Sequence, residues 1–200
     1  MTSVNYGTAS CHSLFPTPLF VFKLSNYESL NQTLLTTIYR LKQSDSGCSA
    51  SNVLGWHSRG NLFDLPEVQL LKTAIDAAIQ QAAQSMGYSH VSIHPANCWA
   101  NVNPPYASNK IHDHANCLFS GVYYVKTPEN CGSLMFYDPR EARTFYKPPA
   151  SDYTAYTADA IAHVAEEGLL LIFPSWLKHG VEPNLSSTDR VSISFNYVFQ

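Results

Sequence analysis

Residues 189–199 read Asp-Arg-Val-Ser-Ile-Ser-Phe-Asn-Tyr-Val-Phe. Val191, Ile193, Phe195, Tyr197 and Phe199 fall on one side of a two-residue period, and Ser192, Ser194 and Asn196 on the other. Side chains of an extended chain alternate between faces, so this is a strand with one greasy and one polar face. Four other short runs have strand composition: 91–103, Cys-Leu-Phe-Ser-Gly-Val-Tyr-Tyr-Val at 117–125, Gly-Ser-Leu-Met-Phe-Tyr at 132–137 and Gly-Leu-Leu-Leu-Ile-Phe at 168–173. In the first of them Pro95 is expected to interrupt pairing. Many short strands without a βαβ rhythm or a Gly-rich phosphate loop predict a sandwich or barrel.

The first half differs. Pro16 and Pro18 force an extended lead-in to a strand at Leu19–Leu24. Ser25-Asn-Tyr-Glu28 has the form of a capping box, and Leu30, Leu34, Ile38 and Leu41 repeat at helical spacing behind it. A second box, Asp64-Leu-Pro-Glu67, opens the clearest helix, with Leu71, Ile75, Ile79 and Ala82 on its apolar face and Gly87 past its end. Residues 43–61 between these helices read as a Ser/Gly/Asn-rich loop. The fold expected is mainly β with flanking helices, a jelly-roll barrel with the N-terminal helices packed outside it. It forms one domain over 1–200, with 1–90 as helical support and 91–200 as the β core.

The chain has 200 residues, a formal net charge of −3 and 14% charged residues, well below the usual ~25%. An acidic balance argues against a nucleic-acid binder, which needs a basic face. No run approaches the roughly 18 apolar residues of a membrane span, and Met-Thr-Ser-Val-Asn-Tyr-Gly-Thr-Ala-Ser lacks the features of a secretion signal. Cys11, Cys48, Cys98, Cys117 and Cys131 are odd in number and show no metal spacing. They are expected to be reduced thiols in a cytoplasmic protein.

Eight histidines stand against twelve Lys plus Arg. His12, His57, His90, His94 and His163 carry no pattern. His112-Asp113-His114 does, because on a strand residues i and i+2 share a face and two imidazoles can reach one metal ion. His179 follows the apolar run ending at Phe173, where a strand could bring it to the same ion. Arg190 and Ser192 lie on the polar face of the last strand, and a guanidinium there suits a carboxylate.

Taken together, His112-x-His114 before Ser120-Gly-Val-Tyr-Tyr-Val125, Phe136-Tyr-Asp-Pro-Arg140, Gly168–Pro174, and His179 followed by Arg190-Val-Ser-Ile-Ser resemble the iron(II)/2-oxoglutarate-dependent dioxygenases. The opening Leu-Phe-Pro-Thr-Pro resembles one branch of them, and the likeness spans nearly the whole chain. It implies a double-stranded β-helix, Fe(II), 2-oxoglutarate and O2 as cofactors, and hydroxylation of an unactivated C–H in a protein side chain or small metabolite with release of succinate and CO2. It implies His112, His114 and His179 as metal ligands and Arg190 and Ser192 as the anchor for the far carboxylate of 2-oxoglutarate. Tyr124 matches a tyrosine that contacts that carboxylate in prolyl hydroxylase-like members, and Asn101, with Asn103 beside it, lies where relatives place a polar cosubstrate contact. Relatives mostly carry a carboxylate second ligand, so Asp113 is the alternative to His114, although strand spacing favours His114. Asp138 and Arg140 are a turn ion pair or a substrate contact, and Trp176 either walls the site or packs. Residues 141–160 are a lid, a surface loop or an oligomer contact. Peptide or small-molecule substrates, and a homodimer, are the partners admitted. The competing readings are a cupin-type three-histidine enzyme without 2-oxoglutarate, for which the usual Glu is missing from 117–121, and a non-catalytic metal-binding barrel.

Overall fold

The computed structural model describes residues 7, 10–140 and 147–200; most of the first ten residues and the first part of the 141–160 segment lie outside the described residues. Among the described residues, eleven strands form two antiparallel sheets. They are β1 (Phe20–Lys23), β2 (Asn52–Val53), β3 (Trp56–His57), β4 (Ile93–Asn103), β5 (Ser108–His112), β6 (Phe119–Lys126), β7 (Leu134–Tyr137), β8 (Ala160–His163), β9 (Leu169–Pro174), β10 (His179–Val181) and β11 (Arg190–Phe199). One sheet has the order β1-β9-β6-β11-β4-β3 and the other β2-β5-β10-β7-β8. This is the jelly-roll arrangement, with helices α1 (Tyr27–Ser44) and α2 (Gln69–Ser85) outside it.

The alternation in β11 decides what each side of the larger sheet does. Val191, Ile193, Phe195 and Tyr197 are at most 1% exposed and pack with Leu34 and Ile38 of α1 and with Leu71, Ile75 and Ile79 of α2. Each such side chain contributes about 1.5–3 kcal/mol when taken out of water. The opposite face of β11, carrying Arg190, Ser192 and Ser194, lines a cavity between the sheets. A second apolar cluster, including Val122, Tyr124, Phe136 and Phe173, fills the space between the sheets beside it. Gly121 is required where β6 crosses β11, because a Cβ there would lie 2.3 Å from the Phe195 ring and 2.6 Å from the Leu171 carbonyl oxygen.

Several local expectations are corrected. Neither capping box forms. Asn26, not Ser25, precedes α1, with φ 55° and no side-chain cap. Tyr27 instead seats its ring against Gly168, where any Cβ would fall 2.4 Å from it, and this tertiary contact sets where the helix begins. At the second box the chain makes two 3₁₀ turns, Leu62–Asp64 and Pro66–Val68, before α2. Glu67 is drawn off by Arg40, 2.6 Å away. Pro95 does not interrupt β4; it is accommodated at a register shift opposite Asn196 and Tyr197. The 43–61 loop contains the two-residue strands β2 and β3, which extend the edges of both sheets. With β1, they make the region before residue 90 part of both sheets rather than helical support alone.

Candidate metal and cosubstrate site

Strand pairing assembles the cavity from distant parts of the chain. On the floor, Ser192 is in register with Asn101 on one side and Tyr124 on the other, so these three form one row across β4, β11 and β6. The next row pairs Arg190 with Asn103, and on the other side Ser194 pairs with Trp99 and Val122. A register shift does occur beside Val191, yet Tyr124 still faces the cavity, whereas Tyr123 faces the helices and donates to Asn31 Oδ1 at 2.7 Å.

The roof carries the histidines. His112 is the last residue of β5 and pairs with His179, the first of β10. His114 lies beyond the strand rather than on it, and its backbone N–H donates to the Ser175 carbonyl at 3.0 Å. Both rings of the pair nonetheless converge on one target. Ring centroids lie 4.9 Å apart for His112 and His114, 4.4 Å for His112 and His179, and 5.2 Å for His114 and His179. One ring nitrogen from each lies within 4.8 Å of the others. A divalent ion bonds imidazole nitrogen at about 2.1 Å, so nitrogens sharing one ion lie within about 4.2 Å. Small side-chain rotations meet that condition. Asp113 is exposed and is not among the clustered groups.

Two tautomers are set by the backbone. His112 Nδ1 lies 2.7 Å from the Lys110 carbonyl and His179 Nδ1 lies 2.8 Å from the Leu177 carbonyl. A carbonyl only accepts, so each Nδ1 carries the proton and each Nε2 keeps a lone pair for a metal. Burial holds the His114 and His179 rings neutral: desolvation pushes the His179 pKa down to about 3 and that of His114 down to about 4, with the neighbouring imidazoles acting in the same direction. The unfolded chain therefore binds protons that the folded chain refuses between pH 6.5 and these values, and stability rises with pH across that window. The metal-free protein is expected to lose on the order of 2 kcal/mol through His179 between pH 7 and pH 4. Urea midpoints read this loss, and a slope unchanged in His179→Gln would contradict it.

Arg190 is 3% exposed. Its Nη1 donates to the Cys131 carbonyl at 2.9 Å, and among the described residues no carboxylate pairs with it. Burial lowers its pKa, with Tyr124 and Cys131 beside it acting the other way. Burial likewise raises the pKa of Tyr124. Asn101 donates through Nδ2 to Ser194 Oγ at 3.2 Å, leaving its Oδ1 buried without a partner. A buried cation without an anion and a buried amide without its complement both mark a place where a polar ligand would be stabilised. The donor set therefore fits a divalent ion and a carboxylate-bearing chelator.

A sequence model of the family described as "Putative 2OG-Fe(II) oxygenase" matches residues 97–196, which contain all three histidines and Arg190. The chain belongs to this family. It is an iron(II)- and 2-oxoglutarate-dependent oxygenase, and the cupin-type and non-catalytic readings fall away. No curated protein sequence is significantly similar. Among solved structures, the fold is similar to a Pseudomonas putida prolyl-4-hydroxylase, with 14% identity, 92% of this chain and 94% of that chain covered, and a TM-score of 0.65. It is also similar to a Trichoplax adhaerens prolyl hydroxylase in complex with a hypoxia inducible factor peptide, with 16% identity, 90% and 83% covered, and a TM-score of 0.65. HygX from Streptomyces hygroscopicus, with nickel and 2-oxoglutarate bound, shows 12% identity, 91% and 83% coverage and a TM-score of 0.63, and a further HygX structure also holds hygromycin B.

Other residues of this oxygenase are placed as follows. Asp138 and Arg140 form a two-pronged ion pair at a turn, both bonds 2.8 Å. Trp176 is 54% exposed and does not line the cavity, so it neither walls the site nor packs in the core. Trp99 does line it: its ring is stacked on His57 at 5.3 Å and lies 5.8 Å from His114. Trp99 shares a strand face with Asn101, two residues on, and that period could have pointed to it. Phe173, 4.7 Å from His179, was hidden in an apolar run without alternation. Residues 147–157 line a surface hollow of their own, separate from this cavity. All five cysteines are free, with Cys98 and Cys131 buried. No helix of the described residues is long and apolar enough to cross a membrane.

Proposed function

We propose that this oxygenase hydroxylates an unactivated C–H of a protein side chain or a small metabolite, releasing succinate and CO2. In this reading His112, His114 and His179 hold iron(II), and Arg190, Ser192, Tyr124 and Asn101 receive 2-oxoglutarate, with Arg190 taking the far carboxylate. The observation that carries it is the convergence of three imidazoles above a floor whose buried guanidinium has no carboxylate partner among the described residues. The bound ion supplies oxygen activation, while the protein orients both reactants and shields them from water. A peptide complex of one structural neighbour and a hygromycin B complex of another keep both substrate classes open. The whole of 1–200 acts as one oxygenase domain in the cytoplasm, without nucleic-acid partners and with room for a homodimer.

The second ligand is assigned to His114 because it joins the cluster and Asp113 faces solvent. His114→Ala is expected to lower metal retention at least ~10-fold, whereas Asp113→Ala leaves it unchanged. Metal content after gel filtration reads this directly, and selective loss in Asp113→Ala would reverse the assignment. Oxygen uptake that depends on 2-oxoglutarate and yields succinate tests the reaction, and turnover without 2-oxoglutarate would refute it.

A further inference from the structure

We propose that the protein supplies no anionic ligand to its metal and that 2-oxoglutarate has to supply it, so that a divalent ion is held weakly by the protein alone and tightly once the cosubstrate is present. The inference rests on the oxygenase reading above and adds to it an obligatory coupling between the two ligands.

The charges of the cavity lead to it. The three clustered groups are all imidazoles. Among the described residues lining the cavity there is no Asp or Glu, and Arg190 is the only side chain with a fixed charge. Its Nη1 rests on a backbone carbonyl, which offsets part of a dipole but no charge. Asp113, between His112 and His114 in sequence, is exposed and outside the cluster, where water screens it. A divalent ion would thus enter a cavity already carrying one positive charge, giving a formal +3. Buried charge of one sign is costly until an opposite charge arrives. The dianion of 2-oxoglutarate would reduce the sum to +1 and would supply the anionic ligand that a site with two His and one acid draws from the protein. The ion and the dianion therefore each improve the other's binding, by the same factor.

Anaerobic calorimetry with Mn(II), a redox-stable stand-in, tests this. Saturating 2-oxoglutarate is expected to tighten Mn(II) by about 10-fold or more, and Mn(II) should tighten 2-oxoglutarate equally. 2-Oxopentanoate, which keeps the chelating end and lacks the far carboxylate, should also tighten Mn(II) when saturating, though it binds more weakly itself. His114→Asp should bind Mn(II) more tightly alone and show a smaller factor, and circular dichroism confirms that the variant is folded. Asp113→Asn should keep the full factor.

Mn(II) affinity unchanged by 2-oxoglutarate that is itself shown to bind would overturn the proposal and leave the oxygenase reading standing. So would tightening by 2-oxoglutarate but none by 2-oxopentanoate, which would place the effect at Arg190 rather than at the metal. Loss of Mn(II) binding in Asp113→Asn would reveal a protein carboxylate at the ion and overturn it too. Failure of 2-oxoglutarate to bind the Mn(II)-loaded protein would remove the oxygenase reading and this inference together.

Discussion

His179→Ala is expected to abolish turnover and to weaken metal binding by about 100-fold or more. Removing the outer partners of a metal ligand already costs 10–100-fold, and this change removes a proposed ligand itself. His179 has the most constrained geometry of the three. It is 6% exposed, its Nδ1 proton is fixed on the Leu177 carbonyl, and Phe173 packs against its ring. The ring is thus aimed before a metal arrives. Deleting it also leaves a hole beside Phe173 and Phe136, so the thermal midpoint should be compared for the metal-free forms. His179→Gln preserves more of the volume. If either variant, shown to be folded, retains metal and activity, His179 is not a ligand.

Arg190→Met is expected to weaken 2-oxoglutarate by about 10²–10⁴-fold while metal is still bound. The magnitude follows from two charge-assisted hydrogen bonds, each contributing about 1.5–3 kcal/mol, at about 1.4 kcal/mol per tenfold. Methionine retains much of the apolar stem and removes only the fork. The Cys131 carbonyl loses its donor as well, so a modest drop in stability is expected alongside. Arg190→Lys should fall between the two, since an ammonium offers charge without the planar pair of donors. The measurement is the 2-oxoglutarate concentration dependence of succinate formation. Loss of kcat with no change in that dependence would remove Arg190 from the cosubstrate site.

Much of this is legible in the sequence. The period of 190–199 shows which residues of β11 face the helices and which face the cavity, because a pleated strand leaves no other choice. Leu34, Ile38, Leu71, Ile75 and Ile79 are the buried helical positions that their spacing predicts. The His-x-His pair, the later histidine and the arginine were visible as a set. The elements that stayed hidden are short: β2, β3, β8 and β10 have two to four residues each, too few for a clear period, and they exist because an adjacent strand offers them hydrogen bonds. The two capping boxes failed for a similar reason, since Tyr27 on Gly168 and Arg40 on Glu67 are contacts across the fold.

The sequence by itself determined which residues could do the chemistry and which face of each long strand they occupy, since composition and alternation are local properties. Only the tertiary structure decided that they meet. His112 and His179 are sixty-seven positions apart in the chain and adjacent because β5 and β10 pair. Asn101, Ser192 and Tyr124 share a row because of register between three strands. Trp99 gained a place against His114 in the same way. Register and pairing are set by the burial of many side chains at once, and that sum is not contained in any single stretch of the chain.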